Sequence, residues 1–504
     1  MYTKVNRLSS SNVIFYAIII LLSVILGLAS VMLNAIWSFM IIAVLIFVFT
    51  ILVNYRIGIW LLFLLLPLAS TNFVPHQILG IKGFNPINIL ILMTVFSVYL
   101  MRNSRTDNLV LLELPKQLKI YLMLLILGGF AGCFFASSSL PVLNFEGSYD
   151  DVSVFRYISD YLFKPFLILI IAYLGGIYVI NENSVHKLLW AMLFCYLIFF
   201  VTILVVALET GVNLKMLAST KARSFLSWTG MHANELGLFF NMGLALFTYT
   251  FLSAETRFQR IMFAVGAAIC GAMALFTFSR GAFLGTAVVG AYYVLTRRQL
   301  HALLLGVIVI ASIIVILPDA FFQRLTEGFS GGGERDAVSA GRMDFIWKPL
   351  FTEFLKSPVW GHGLSSTLWS EPLLTGQMLR VGHPHSAYLG VLLDFGILGA
   401  FVVVYFFLSM WNVFRLLMNS HPQILWRGYF EGASVCILIL LVQGATDDRF
   451  VPTYPQIYLW FAYGLGIASV KRYINVTTED VVIHKKSRPM VYRPRKLKSY
   501  RLGT

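Results

Sequence analysis

The segment VIFYAIIILLSVILGLASV, from Val13 to Val31, decides the fold class. It carries no charged residue over a length close to the roughly 20 residues that an α-helix needs to cross a bilayer. Similar runs recur along the 504 residues, which are 58% hydrophobic and only 12% charged, about half the charge of a soluble chain. A membrane β-barrel would show short alternating strands instead. The sequence therefore predicts an all-α, polytopic membrane protein.

About 14 transmembrane helices are predicted, and the third, tenth, eleventh and fourteenth are short. They are centred near residues 13–32, 36–54, 57–70, 86–101, 118–137, 161–180, 188–208, 234–252, 261–278, 282–296, 302–317, 385–409, 428–446 and 456–470. Residues 1–317 thus hold helices 1–11, residues 318–384 form one long loop, residues 385–470 hold helices 12–14, and residues 471–504 form a basic tail.

The distribution of positive charge predicts the topology. The start, MYTKVNRLSSSN followed by a long apolar run, lacks a small-residue cleavage site, so we expect a retained first helix. With both termini in the cytoplasm, 24 of the 38 Lys and Arg residues fall in inner segments, in agreement with the positive-inside rule. The net charge of +15 therefore reflects membrane topology and the tail. No aromatic-interleaved RNA-binding motif accompanies it, which argues against nucleic acid.

The long loop is expected on the outer side and contains one amphipathic stretch. Its apolar residues share one helical face and are Met343, Ile346, Trp347, Leu350 and Phe354. Such a helix would lie in the headgroup plane, anchored by Trp347 and Trp360, and it would also be compatible with a small folded cap over the bundle.

Three arginines at the outer edge are candidate ligands for a phosphate-linked substrate. Arg280 lies in a Ser-Arg-Gly turn, Arg342 opens the amphipathic stretch, and Arg223 lies in an outer loop before Met231-His232-Ala233-Asn234-Glu235. A planar guanidinium grips phosphate oxygens through two parallel hydrogen bonds. Each could instead be a solvated or interfacial arginine.

His385, in His383-Pro384-His385-Ser386-Ala387-Tyr388-Leu389-Gly390, is the candidate general base. Because proline fits the first turn of a helix, His385 is expected to start the twelfth span. The His383 and His385 rings are expected to face different ways across Pro384. A metal site built from His362, His383 and His385 lacks a carboxylate or cysteine at a recognisable spacing, so we expect no metal. Asp394 would lie within the membrane, and we favour a role in holding a neighbouring helix by hydrogen bonding over a catalytic one.

An ordered set of short motifs resembles the O-antigen ligase and O-antigen or exopolysaccharide polymerase superfamily of bacterial envelope glycosyltransferases. The set covers roughly residues 200 to 470. Its motifs are Ser279-Arg280-Gly281-Ala282-Phe283, Gly341-Arg342, Gly361-His362-Gly363, the motif around His385, and Asp394-Phe395-Gly396-Ile397-Leu398-Gly399. The family pattern usually has Asn at the Ser386 position and Glu near the Asp394 position.

The resemblance implies a GT-C-like bundle in the bacterial inner membrane, with its active site facing the periplasm. It implies a metal-independent, inverting transfer of glycan from undecaprenyl diphosphate to an acceptor glycan, without a cofactor. Arg280 and Arg342 would bind the diphosphate with help from Arg223, and His385 would act near the acceptor hydroxyl. His383 and Tyr388, in the same motif, are assigned to substrate binding. The number of helices favours a repeat-unit polymerase over a ligase that passes glycan to lipid A-core or another acceptor. A flippase or other transporter of lipid-linked glycan is the alternative from another class, but its polar groups would lie nearer the bilayer midplane.

Overall fold

The computed structural model describes residues 45–71, 74–75, 77–78, 81–82, 85–102, 109–136, 140–143, 149–211, 226, 228–297, 342–375, 382–446 and 449–475. The predicted spans 13–32 and 302–317, most of 36–54, the first part of the long loop, the basic tail and Arg223 lie outside these residues.

The described chain is almost entirely helical. Its helices are α1 (Leu45–Val53), α2 (Tyr55–Leu65), α3 (Pro86–Arg102), α4 (Lys116–Phe135), α5 (Val154–Asn181, with a π-helical turn at Ile158–Phe163), α6 (His186–Glu209), α7 (Ala233–Leu252), α8 (Arg257–Phe276), α9 (Arg280–Arg297), α10 (Lys348–Phe354, after a π-helical turn at Met343–Trp347), α11 (Glu371–Leu374), α12 (Ala387–Ser420), α13 (Ile424–Gln443) and α14 (Ile457–Ser469, continued by a π-helical segment at Val470–Asn475). Short 3-10 helices span Leu66–Ser70, Ser366–Trp369 and Tyr454–Gln456.

Two small antiparallel hairpins accompany the helices. Strands β1 (Gln77–Ile78) and β2 (Ile81–Lys82) align Gln77 with Lys82, and β3 (Leu140–Leu143) and β4 (Tyr149–Val152) align Leu140 with Val152.

The polytopic helical fold is confirmed. Among the described residues, seven helices are long and apolar enough to cross a membrane: α4, α5, α6, α7, α8, α12 and α13. Each coincides with a predicted span. Helices α1 and α2, bent by 114° at Asn54, would make an eighth if they form one broken span. Helices α3, α9 and α14 also occupy predicted positions, but they are shorter or less apolar.

Helix α7 lies at the centre of the bundle and packs against α8, α9, α13 and α14. Its Phe239 ring stacks on Tyr196 of α6 at 4.4 Å between centroids, and Tyr196 meets Tyr458 of α14 at 5.2 Å. The Tyr196 hydroxyl donates to the Phe239 carbonyl at 2.8 Å, which satisfies a polar group that would otherwise be costly in an apolar interior. The core therefore fixes α7, whose first turn faces the candidate site.

Helix α12 is broken at Gly396, where φ is +64° and ψ is −169°. A segment of the long loop, Pro358 to Gly363, fills the break with backbone hydrogen bonds: Ile397 N to Pro358 O (2.9 Å), Leu398 N to Val359 O (3.3 Å), His362 N to Leu393 O (2.8 Å) and Gly363 N to Asp394 O (2.9 Å). Irregular backbone at membrane depth is tolerated only where such partners exist. We call this contact the loop crossing. It joins two motifs, Gly361-His362-Gly363 and Asp394-Phe395-Gly396, that are more than 30 residues apart in the chain.

The amphipathic stretch packs against the bundle. Leu350 and Phe354 are buried against Leu393 of α12, and four partly buried residues surround them: Ile346, Leu373, Leu389 and Leu392. The stretch thus forms a cap on the bundle, and its place in the headgroup plane stays a prediction. Trp360 remains largely exposed.

Candidate active site

The Arg280 turn is held at the start of α7. Arg280 is the first residue of α9, and the preceding Phe278 has a left-handed φ of +51°. The Ser279 hydroxyl donates to Asn234 Oδ1 at 2.5 Å, and Asn241 Nδ2 donates to the Ala282 carbonyl at 2.7 Å. Two asparagines of α7 therefore position the turn that carries Arg280.

His232 and Glu235 have a structural role at the same end of α7. The His232 N–H donates to Glu235 Oε2 at 2.8 Å, and His232 Nδ1 accepts from the Asn234 N–H at 3.3 Å. This is a reciprocal capping arrangement of the kind that satisfies the first N–H groups of a helix.

Arg342 lies beside the turn that follows α13. Its guanidinium donates to the Thr446 carbonyl. A Cβ on Gly281 would stand 3.6 Å from Thr446 Oγ1, so the Arg280 turn borders the same residue. Thr446 therefore connects two arginine-bearing segments that are about 60 residues apart in the chain.

The histidine segment, His383 to Ala387, is anchored to this turn as well. The Ala387 N–H donates to the Gly444 carbonyl at 2.7 Å, and Trp347 Nε1 donates to the Pro384 carbonyl at 2.9 Å. We call Gly444–Thr446 the α13 turn. The segments bearing Arg280, Arg342 and His385 all converge on it.

Two expectations about the histidines are wrong. His385 does not start the helix: Ser386 is the N-cap of α12, its hydroxyl accepts from Leu389 N, and His385 precedes it with a left-handed φ of +49°. Serine at the cap fixes the start because its hydroxyl satisfies a first-turn N–H. The His383 and His385 rings also do not face different ways. Their centroids are 3.8 Å apart, because the left-handed residue folds the chain back.

A polar cavity of about 200 Å³ opens on one side of the histidine segment. His383, Pro384 and Ser386 line it, together with Asp394 and Arg449. Arg280, Arg342 and His385 are not among its lining residues. The histidine segment thus borders both the cavity and the α13 turn, on which the arginine-bearing segments converge.

The charged residues on the far wall of the cavity were not among the site residues predicted from the sequence. Arg449 lies over the Tyr161 ring at 5.2 Å, and its carbonyl accepts from Gln456 Nε2 at 2.5 Å. Lys164 and Asp160 form an ion pair at 2.6 Å in the first third of α5. The available signal was the acidic-basic run Asp447-Asp448-Arg449 after an apolar span, which is unusual at an outer edge.

Asp394 holds the segment around Ser366 against α12 through hydrogen bonds. Its Oδ1 accepts from both the N–H and the hydroxyl of Ser366, each at 2.9 Å, while it also lines the cavity. The hydrogen-bonding role favoured from the sequence therefore holds, although the partner is the outer segment and not a neighbouring span.

Tyr388 lies on the membrane-facing side of α12. The side chain is 44% exposed, its hydroxyl donates to the Leu441 carbonyl at 2.8 Å, and its ring meets Phe450 edge-on at 5.0 Å. The structure therefore does not bring Tyr388 into the polar cavity.

Within the described residues, no group of three His, Cys, Asp or Glu side chains is arranged to hold a metal ion. His362 Nε2 lies 3.0 Å from the Glu353 carbonyl, so its ring is engaged by the amphipathic helix.

The fold and these segments define a multi-pass helical membrane protein with basic and imidazole groups gathered at one end of the bundle. Residues 265–404 match the family model described as O-antigen ligase, and the resemblance to the O-antigen ligase and polymerase superfamily is thereby confirmed for this part of the chain. The match includes Arg280, Arg342 and both histidines of the motif. It supports a ligase- or polymerase-type glycosyltransferase activity in a bacterial membrane, on lipid-linked glycan. No curated protein matches the chain.

Proposed function

We propose that this protein is a glycosyltransferase of the inner membrane that polymerises repeat units carried on undecaprenyl diphosphate, at its periplasmic face. The observation that carries the proposal is the convergence of the segments bearing Arg280, Arg342 and His385 on the α13 turn. These segments come from three separate parts of the chain, and a purely structural role does not require all three to carry basic groups.

The proposed reaction is a single displacement that inverts the anomeric configuration. The acceptor hydroxyl oxygen bonds to the anomeric carbon as the bond from that carbon to the diphosphate oxygen breaks. The electron pair leaves with the diphosphate, and the hydroxyl proton passes to an imidazole. Preplaced cations stabilise the charge that develops on the leaving group.

The position of the histidine segment supports this division of roles. Arg280 and Arg342 would hold the diphosphate on the α13-turn side, with Arg223 as a helper. The cavity beside the histidine segment, with Asp394 and Arg449 on its walls, has room for roughly one sugar residue, since sites for drug-sized ligands run to roughly 300–1,000 Å³. His385, in ring contact with the cavity-lining His383, would act as the base between them.

The arginines would neutralise the charge on the diphosphate, as a divalent ion does in other phosphate-transfer sites. We therefore propose metal-independent catalysis. A guanidinium remains charged at any working pH and binds two phosphate oxygens at once.

The test is turnover by the purified protein in lipid nanodiscs, with a defined undecaprenyl-diphosphate oligosaccharide and EDTA present. A polymerase lengthens the glycan on the lipid and releases free undecaprenyl diphosphate. A ligase releases that lipid only when a separate acceptor is supplied. Transfer of intact donor between leaflets without a new glycosidic bond would replace the proposal with the transporter alternative. Activity that EDTA abolishes and added Mg²⁺ restores would overturn the metal-independent mechanism.

A further inference from the structure

A second large cavity, of about 730 Å³, lies far from the candidate active site. It is a groove between the segment that leads into α4, the last half of α12 and the end of α14, and we call it the distal groove. Asn412 in the groove lies 16 residues beyond the break of α12 at Gly396, roughly 24 Å at 1.5 Å per residue, whereas Ala387 at the active site precedes the break. The distal groove therefore opens near the opposite face of the membrane.

The walls of the distal groove combine apolar surface with polar groups that lack protein partners. Tyr405, Leu408 and Leu416 present exposed apolar side chains along α12. Tyr463 is only 2% exposed, yet its hydroxyl has no hydrogen-bond partner of good geometry among the described residues, although Ser409 lies close to it. A buried hydroxyl without a partner is costly, which points to an occupant with a hydrogen-bonding group.

A polar side chain on the membrane-facing side of α12 supports the same inference. Asn412 is exposed eight residues before the end of α12, and its side chain lines the groove. An amide at this depth would be unfavourable against lipid tails alone, but it suits the ester and glycerol region of a lipid.

One acidic and one basic residue stand at the mouth of the distal groove. Glu113 lies just before α4, and Lys471 just after α14. A headgroup that carries a phosphate and a primary ammonium complements this pair, with the phosphate toward Lys471 and the ammonium toward Glu113. An anionic headgroup without the amine would meet the same lysine but be repelled by Glu113.

We propose that the distal groove binds one zwitterionic phospholipid with a primary amine, of the phosphatidylethanolamine type. The headgroup occupies the Glu113 and Lys471 mouth, the glycerol region meets Asn412 and Tyr463, and an acyl chain runs along α12. This site is separate from the proposed glycosyltransferase site, so either proposal can fail without the other.

The test is native mass spectrometry of the delipidated full-length protein in detergent, with synthetic phosphatidylethanolamine, phosphatidylcholine and phosphatidylglycerol added singly and in competition. We expect one preferred equivalent of phosphatidylethanolamine. Phosphatidylcholine should bind more weakly, because its quaternary ammonium has no N–H to donate. Glu113→Gln should lower phosphatidylethanolamine binding roughly two- to fivefold, the range of a partly exposed charge pair. Glu113→Lys should shift the preference to phosphatidylglycerol.

The matched control is Glu371→Gln, which removes an exposed carboxylate at the other end of the bundle. It should leave lipid preference unchanged, and each variant's elution profile in size-exclusion chromatography should match that of the wild type. Asn412→Leu should weaken phosphatidylethanolamine and phosphatidylglycerol equally, since the glycerol region is common to both. Equal binding of all three lipids by the wild type, or a Glu113→Lys protein with unchanged preference, would overturn the proposal.

Discussion

The loop crossing makes a quantitative prediction about two glycines. A Cβ on Gly361, where φ is +73°, would stand 2.5 Å from the backbone nitrogens of both Phe395 and Gly396. A Cβ on Gly396 would stand 2.3 Å from the Val359 carbonyl oxygen. Neither obstacle is a flexible side chain, so the two backbones must separate.

The cost has two parts. A non-glycine residue forced into these backbone regions costs about 1–3 kcal/mol. Forcing an extra carbon into a closed contact adds typically about 1–3 kcal/mol. Gly361→Ala and Gly396→Ala should therefore each destabilise the protein by about 2–6 kcal/mol. Both should also reduce glycan synthesis, because the crossing holds the first turns of α12 and the histidine segment before them.

Two other glycines separate the cost of backbone strain from the cost of the close contact. Gly211 has a φ of +64°, and none of the described residues lies within 4 Å of its would-be Cβ, so Gly211→Ala should report mainly backbone strain. Gly290 lies in α9 with neither strain nor a close neighbour, so Gly290→Ala should be neutral or slightly stabilising. The assay is apparent melting temperature by fluorescence-detected size-exclusion chromatography. Melting temperatures for Gly361→Ala and Gly396→Ala at or above that of Gly211→Ala would refute the reasoning.

Three further predictions concern the arginines, the topology and a buried histidine. Arg280→Lys should lose roughly 10²-fold in turnover, nearly as much as Arg280→Ala, because a point charge cannot replace a two-bond grip on diphosphate; Arg342→Ala should lose product at normal protein level. A fully active Arg280→Lys enzyme would refute the diphosphate role. In a cysteine-free background, Glu371→Cys should react with an impermeant maleimide in intact cells, whereas Lys187→Cys should react only after lysis, and the reverse pattern would invert the topology. Burial lowers the pKa of His421 from 6.5 to about 4, so this histidine is neutral near pH 7 in the folded protein. Because the unfolded chain binds the proton more readily, the free energy of unfolding falls as pH drops from about 6.5 toward 4. At about pH 5 the loss is about 2 kcal/mol, and thermal denaturation of His421→Gln should be less sensitive to that acidification than the wild type.

Apolar run length was sufficient to predict the seven long apolar helices among the described residues, because a bilayer imposes a similar length on every span. It did not predict the break in α12. Residues 385–409 look like one uninterrupted span, and the break depends on hydrogen bonds from Pro358–Gly363, a segment more than 30 residues earlier.

The candidate site was predictable in its residue types but not in its geometry. Arg280, Arg342 and His385 stand out as basic groups at apolar edges, and their segments do converge on the α13 turn. The contact between the two histidine rings arises from one left-handed residue, which no periodicity signals. Arg449 was missed because its significance lies in the α5 residues it faces, and this neighbour relation is visible only in the folded bundle.

We propose that His385 drives transfer from a donor that the arginines hold independently. Donor binding and single-turnover transfer should be compared for the wild type and His385→Ala in nanodiscs, with the same undecaprenyl-diphosphate glycan. We expect His385→Ala to bind the donor nearly as well as the wild type but to transfer glycan roughly 10²- to 10⁴-fold more slowly. His383→Ala, which leaves the His385 imidazole in place, should be less impaired. Transfer by His385→Ala at the wild-type rate would rule out His385 as the base.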